Sequence, residues 1–213
     1  MKAHSTGGGG WNPEDGSYGA VCIMVIDCGM WEREYMGQTK TKRELYIRFE
    51  LPEAIIPEGE YEGKPAGIGQ RYTFSMFKKA NLRRDLETWR GRPFTDEQAD
   101  DFDVATIAGQ SATLQVYTND KGYCNLNLIT PYSGSLTASE DILVFDTEDY
   151  SQEQFDSLPE WIRKKINLPD DSVADEYSSY DDEQESNRYE REQQRTHQTT
   201  RPEMDDFDDD IPF

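Results

Sequence analysis

The chain has 213 residues, a formal net charge of -21 and 35% hydrophobic residues. This length suits one folded domain with a substantial tail, or two very small domains. The best apolar run, Ala20–Ile26, is far shorter than the ~20 residues that a membrane-spanning helix needs, so we do not expect a membrane protein.

The start of the chain is polar and rich in glycine, without the apolar segment of a secretory signal, so we expect a cytoplasmic protein. The three cysteines, Cys22, Cys28 and Cys124, form no CxxC pair. This spacing favours buried thiols in a reducing compartment over a disulfide framework or a zinc site.

Acidic residues are concentrated at the other end of the chain. Residues 170–213 hold 16 acidic and 4 basic residues, against 27 acidic and 18 basic residues in 1–169. A segment with so little aliphatic content cannot bury enough apolar surface to offset the entropy of ordering. We therefore predict a flexible N-terminal arm over 1–17, a folded domain over 18–169 and a disordered acidic tail over 170–213.

The first half of the folded domain is predicted to form three strands. Gly19–Cys28 is apolar on both faces, which is typical of a central strand. Glu44–Leu51 and Arg71–Met76 alternate apolar and polar residues, as half-buried strands do. Gly29–Arg43, between the first two strands, is predicted to be a long loop. The residues predicted to face the core are Leu45, Ile47, Phe49, Leu51, Tyr72, Phe74 and Met76.

A helix is predicted next, over Asn81–Arg90, because Leu82, Leu86 and Trp89 recur at helical spacing and Gly91 is placed to end it. Thr95 and Gln98 form a capping box that predicts a short second helix.

Two further strands, Ala112–Thr118 and Tyr123–Pro131, are joined by the hairpin signal Asn119–Gly122, with Cys124, Leu126 and Leu128 predicted to face the core. Two more capping boxes, Ser151 with Gln154 and Ser157 with Glu160, predict a C-terminal helical segment that packs on the strands. Three strands, a helix and two strands form the order of an OB-fold, a five-stranded Greek-key barrel with its helix between strands 3 and 4. A split sheet with helices on one side has the same pattern and stays open as an alternative.

Aromatic and cationic side chains recur on the strand faces turned away from the predicted core. Single-stranded nucleic acid needs both cations for its phosphates and aromatic faces for its bases. Residues 70–92 add a basic patch, with seven basic residues against two acidic ones. The alternative is that exposed tyrosine and arginine side chains merely cover apolar surface. The candidate DNA-binding residues are Trp31, Tyr35, Lys40, Lys42, Arg43, Tyr46, Arg48, Arg71, Thr73, Lys78, Lys79, Arg83, Arg84, Tyr117, Tyr123, Asn125 and Asn127.

No enzyme signature is present in the sequence. The only histidines, His4 and His197, fall in the predicted flexible ends, and Gly7–Gly10 lacks the lysine of a phosphate-binding loop. The acidic cluster around Asp103 has no nuclease or polymerase spacing. We therefore predict no catalytic residue, no cofactor and no metal.

The last residues of the sequence, Met204–Phe213, resemble the acidic tip of bacterial single-stranded DNA-binding proteins, which ends in Asp-Asp-Asp-Ile-Pro-Phe. The match is residue for residue over Asp208–Phe213. The resemblance implies that this tip docks in a pocket with nearby basic residues on replication, recombination or repair proteins. Its partner-binding residues would be Asp208, Asp209, Asp210, Ile211, Pro212 and Phe213.

The body of the chain resembles phage-encoded OB-fold single-stranded DNA-binding or replisome-organising proteins, above all over Leu82–Thr95 (LRRDLETWRGRPFT). The two resemblances together imply a non-enzymatic protein that coats single-stranded DNA in phage DNA replication or recombination, in the host cytoplasm. A replisome organiser or strand-annealing factor is one alternative. An acidic interaction protein or DNA mimic, which binds no DNA itself, is another.

Overall fold

The protein is mainly β in the computed structural model, which describes residues 11–35 and 38–168. The predicted acidic tail with its tip Asp208–Phe213 lies outside the described residues, as do residues 1–10 of the predicted arm. The strands are β1 Gly16–Tyr35, β2 Gln38–Ile55, β3 Pro65–Thr73, β4 Ser111–Thr118, β5 Cys124–Pro131 and β6 Leu143–Phe145. The helices are α1 Asn81–Arg90, α2 Asp96–Asp100, α3 Gln152–Ser157 and α4 Glu160–Arg163, with a 3-10 turn at Val104–Ile107.

The six strands form one sheet in the order β3-β2-β1-β4-β5, with β6 paired to β1 off this path. All neighbours are antiparallel except β6, which runs parallel to β1 at Met24–Ile26. The long strand β1 belongs to both halves of the sheet. Its residues Gly16–Val21 pair with β4, and from Val21 onward it pairs with β2.

Strand β1 is buried on both faces, as its sequence predicts. Ala20 and Cys22 lie in the main core, whereas Ile23 and Ile26 lie in a second core on the other side of the sheet. This second core is closed by Ile162 and other residues of the C-terminal segment, residues 132–168. A bulge between Cys22 and Met24 changes which side chains face each core.

The main core is built on the predicted face of β2, where Leu45, Ile47, Phe49 and Leu51 are at most 2% exposed. The Phe49 ring packs edge-on against Trp89 of α1 at 5.3 Å between centroids. Helix α1 has the predicted bounds and ends at Gly91, whose φ of 71° suits glycine.

The capping boxes at Thr95 and Ser151 are confirmed and begin α2 and α3. The box predicted at Ser157 is wrong: this hydroxyl donates back to the carbonyl of Gln154. Helix α4 begins after Pro159 instead.

Two predicted strand boundaries and one predicted side-chain orientation are also wrong. The loop predicted over Gly29–Arg43 is a hairpin in which β1 and β2 continue, with Trp31 opposite Lys42. Strand β3 is Pro65–Thr73 and not the predicted Arg71–Met76. Gly67 and Gly69 interrupt the alternation of apolar and polar residues there, so the sequence pattern does not reveal this strand. On β5, a bulge beside Asn127 turns Leu128 outward, where it is 42% exposed, and Ile129 takes its place in the core.

Candidate nucleic-acid interface

The outer face of β2 and β3 carries aromatic and cationic side chains beside one another. Tyr46 lies directly opposite Arg71, and Arg48 lies opposite Gly69. A methyl group at Gly69 would collide with the Tyr46 ring, and one at Gly67 with the Arg48 guanidinium. The two glycines therefore let the Tyr46 and Arg48 side chains lie across the neighbouring strand.

Helix α4 and the β1–β2 hairpin extend this face in two directions. The Arg71 guanidinium lies over the Trp31 ring at 5.3 Å from its centroid, and the Arg48 guanidinium lies over Trp161 at 5.4 Å. The Lys165 ammonium lies 5.0 Å from the Tyr46 centroid. The aromatic–cation strip, as we call this continuous surface, consists of Trp31, Tyr46, Arg48, Arg71, Trp161 and Lys165.

The strip is held in place by hydrogen bonds between Asn167, which follows α4, and strand β1. The amide of Asn167 donates to the carbonyl of Cys28 at 2.7 Å, and its side chain donates to the carbonyl of Met30 at 2.5 Å. The Trp31 indole donates to the same Cys28 carbonyl at 2.8 Å. Because Ile162 anchors α4 and is fully buried, the Trp161 and Trp31 side chains are positioned by the fold itself.

Carboxylates balance the cations of the strip. Arg71 is paired with Glu44 at 2.5 Å, and Arg48 lies 3.5 Å from Glu140. Burial raises the pKa of the Tyr46 hydroxyl, so this side chain stays neutral at physiological pH. A phosphate reaching the strip would therefore compete with Glu44 and Glu140 for the two arginines.

A polar groove of about 370 Å³ opens beside the strip, between β3, β5 and the start of α1. The candidate residues Arg71, Thr73, Arg84 and Asn127, predicted from three separate segments, line it together. Arg84 is the more accessible of the two cations, with a side chain 67% exposed against 28% for Arg71. Arg71 belongs to both the groove and the strip, so the two surfaces are continuous.

Two of the candidate arginines are held by the protein itself. Arg43 pairs with buried Asp27 at 2.7 Å and with Glu148 at 2.5 Å. Burial would raise the pKa of Asp27, but the hydrogen bonds from Arg43 and Thr147 hold it below its usual value. Arg83 is only 6% exposed and donates to Glu87 and to the carbonyls of Met76 and Phe94. These two guanidinium groups stabilise the fold.

The remaining candidate residues lie at three other places. Lys40 and Lys42 lie on the β1–β2 hairpin, where the side chain of Tyr35 is outside the described set. Lys78 pairs with Asp96 at 2.9 Å, and exposed Lys79 follows it. Tyr117, Tyr123 and Asn125 lie on the β4–β5 hairpin, away from the β2–β3 face. The structure thus divides the predicted binding residues between two faces of the sheet.

Sequence reasoning missed Trp161 and Lys165. Both lie in the segment that was predicted only to pack on the strands. The available signal was the spacing of Ile162 and Ile166, which places one face of this turn inward and leaves Trp161 and Lys165 beside it.

No protein family, curated protein or solved structure matches this chain. Between residues 11 and 168, leaving out 36 and 37, no helix is long and apolar enough to cross a membrane. The same residues contain no group of three or more His, Cys, Asp or Glu side chains arranged to hold a metal ion.

Proposed function

We propose that the protein binds single-stranded DNA on the aromatic–cation strip and catalyses no reaction. The observation that carries the proposal is the alternation of three rings and three cations on one surface, from Trp31 through Tyr46 to Trp161. Bases stack on such rings while phosphates contact the adjacent cations. In a duplex the base faces are already stacked on one another, so the strip favours the single strand.

Each base stacked on an aromatic side chain is worth roughly 1 to 3 kcal/mol. Trp161, 40% exposed, offers the largest accessible ring of the strip. The cations above Trp31 and Tyr46 shift toward the phosphates as bases take their place. The resulting complex exchanges protein ion pairs for phosphate contacts, and its affinity therefore depends on salt.

The salt dependence sets a quantitative expectation. Each phosphate neutralised on a single strand lowers the logarithm of the affinity by about 0.7 per decade of salt. If Arg48, Arg71 and Lys165 each neutralise one phosphate, the slope is about -2. The net charge of -21 repels DNA over longer distances and makes low-salt binding weaker than in a basic protein.

The same proposal includes an OB-fold barrel. Strand order β3-β2-β1-β4-β5, with α1 between β3 and β4, supports it. The approach of β3 to β5 also supports it, since Tyr72 and Leu126 line the same groove. In such barrels the face of strands 2 and 3 binds oligonucleotides, and this is the face that carries Tyr46, Arg48 and Arg71.

We further propose that the acidic tip recruits replication, recombination or repair proteins while the body coats DNA of a phage. The support is the sequence of Asp208–Phe213. An isolated peptide of residues 204–213 should bind such a partner, and Phe213→Ala should weaken that binding without changing the DNA affinity of the full chain.

Fluorescence anisotropy with a labelled oligonucleotide, single-stranded and duplex, tests DNA binding by the full chain. We expect preference for the single strand, and Trp161→Ala should weaken it by about five- to a hundredfold. Trp11→Ala is the matched control, because Trp11 is 38% exposed and lies off the strip. Absence of binding by the wild type would reject DNA binding and favour an acidic interaction protein. Equal loss in both variants would reject the strip.

A further inference from the structure

The outer face of the other half of the sheet contains no charged side chain among its described residues. The uncharged face, as we call it, is formed by β4 and β5 with Ser17 of β1, and it ends where Tyr132 and Leu136 lie over Gly19. Charged residues make up 31% of the chain, so a sheet face without any is distinctive. Its members are Ser17, Thr113, Gln115, Tyr117, Asn125, Leu128 and Thr130, and Asn127 lies at its border with the polar groove.

Several polar groups of this face are hydrogen-bonded within it or to the adjacent backbone. Asn127 donates to Gln115, Thr130 donates to the carbonyl of Thr113, and Asn125 donates to the carbonyl of Tyr123. Covering a polar group is costly only when its hydrogen bonds are lost. The groups that are already paired in this way can be covered by a partner without losing these hydrogen bonds.

Two large side chains stand out from the same face. Tyr117 is 44% exposed and Leu128 is 42% exposed, and both belong to the antiparallel pair β4–β5. Depletion of charge and exposure of aromatic and aliphatic groups are the features of the buried centre of protein interfaces. Nucleic acid is a poor occupant, because the face offers no cation for a phosphate.

We propose that the uncharged face binds the uncharged face of a second copy of this chain. Two copies with a charge of -21 each repel one another over most of their surfaces, so contact is favoured where charge is missing. A two-fold arrangement places the same patch on both partners, and this patch needs no charge complement. The two sheets would pack face to face, about 10 Å apart.

The size of the face predicts a weak dimer. Strand β4 has 8 residues, so three strands cover about 27 Å by about 14 Å. This is roughly half of the ~800 Å² that each partner buries in a standard interface. Since salt screens the repulsion between acidic copies, self-association should strengthen with salt. DNA binding has the opposite dependence, so the two interactions are distinguishable.

Sedimentation equilibrium of the full chain without DNA tests the proposal, at about 0.05 and about 0.5 M NaCl. The average mass should rise with protein concentration from 24.6 kDa toward twice that value. This rise should be larger at the higher salt concentration. Leu128→Arg and, independently, Tyr117→Arg should weaken self-association by about tenfold or more. Ile55→Arg is the matched control, because Ile55 is 47% exposed and lies on β2.

Thermal melting followed by circular dichroism shows whether each variant is folded. If either Leu128→Arg or Tyr117→Arg does not fold, the other variant still tests the proposal. A wild type that stays at monomer mass at both salts would overturn the proposal. Self-association that survives both face variants, or that weakens with salt, would overturn it too. A fall in DNA affinity with Tyr117→Ala would assign this face to DNA instead. None of these outcomes depends on whether the strip binds DNA.

Discussion

The two outer faces of the sheet differ in chemistry although β1 belongs to both. On the β2–β3 side, cations and rings alternate, and the C-terminal segment packs over part of the face through Trp161 and Glu140. On the β4–β5 side the outward residues carry no charge and bond to one another. The alternation of apolar and polar residues therefore locates a solvent-facing side of the sheet. The charges on that side, and the segments that pack over it, determine what it can bind.

The C-terminal segment also contacts β4, where the amide of Leu136 donates to the Ser111 hydroxyl, but its hydrogen bonds to buried carboxylates lie on the strip side. Asp27 accepts hydrogen bonds from the amide and hydroxyl of Thr147, and Glu50 accepts from the amide of Ser139 at 2.8 Å and of Glu140 at 2.9 Å. Both carboxylates are at most 2% exposed. The strip therefore depends on buried anions that the β4–β5 side does not need.

The largest expected effect comes from breaking that attachment. Asp27→Asn should lower the free energy of unfolding by about 2 to 4 kcal/mol, since removing one partner of a buried pair leaves the other uncompensated. This loss of stability is smaller than that expected for a fully buried ion pair, because the Arg43 side chain is 28% exposed and partly solvated. Urea denaturation measures it. Glu148→Gln, at a side chain 71% exposed, should change stability by less than about 1 kcal/mol. Equal effects of the two substitutions would contradict the role of Asp27.

The next effect concerns DNA affinity on the two faces. Arg71→Glu should weaken single-stranded DNA binding by about 30- to 100-fold, because it removes a cation from both the strip and the groove and adds a repulsive charge. Gln115→Glu, on the uncharged face, should change the affinity by less than about twofold. Anisotropy titration measures both, and Arg71→Gln separates the loss of the cation from the added charge. A reversed order of the two effects would place DNA on the β4–β5 side.

A smaller effect is expected from filling the space beneath the strip. Gly69→Val should push the Tyr46 ring off β3 and weaken DNA binding by about fivefold, or about 1 kcal/mol. Gly16→Val is a suitable control, since the nearest atom to an added Cβ there is 3.8 Å away. The same titration compares them at matched thermal stability. Unchanged affinity of Gly69→Val would show that the position of Tyr46 is unimportant.

The smallest expected effect is a pH dependence. The pKa of Asp27 is lowered from 3.8 in the folded protein, so the folded state favours the ionised carboxylate. Its contribution to stability is complete above about pH 5, and it is lost as pH falls through 4 and toward the folded-state pKa. Urea denaturation between about pH 6 and 3 should therefore show a shallower loss for Asp27→Asn than for the wild type. A steeper loss would contradict the assigned direction.

The sequence predicts the elements whose pattern is local. The strict alternation from Leu45 to Leu51, the two-sided apolar run in β1 and the capping boxes at Thr95 and Ser151 all identify elements confirmed in the structure. In each case neighbouring residues carry the whole signal. No distant partner is needed to interpret it.

The capping box at Ser157 fails locally, since its hydroxyl donates to the carbonyl of Gln154. Other errors occur where a distant segment decides the outcome. The bulge beside Asn127 turns Leu128 outward, and the three residues of β6 gain their strand only by pairing with β1. The binding partner of an arginine in the candidate site is equally hard to predict. The sequence around an arginine does not show whether its side chain contacts a phosphate or a carboxylate of the protein. Arg43 and Arg83 are held by Asp27 and Glu87, which lie 16 and 4 residues away.

Photo-crosslinking of a single-stranded oligonucleotide that carries 5-iodouracil tests the division between the two faces most directly. Aromatic side chains in contact with the base react, and mass spectrometry of the full chain identifies them. We expect crosslinks at Trp31, Tyr46 and Trp161, and none at Tyr117 although it is 44% exposed. Crosslinks at Tyr117 and Tyr123 without any on the strip would contradict it and place the DNA on the uncharged face.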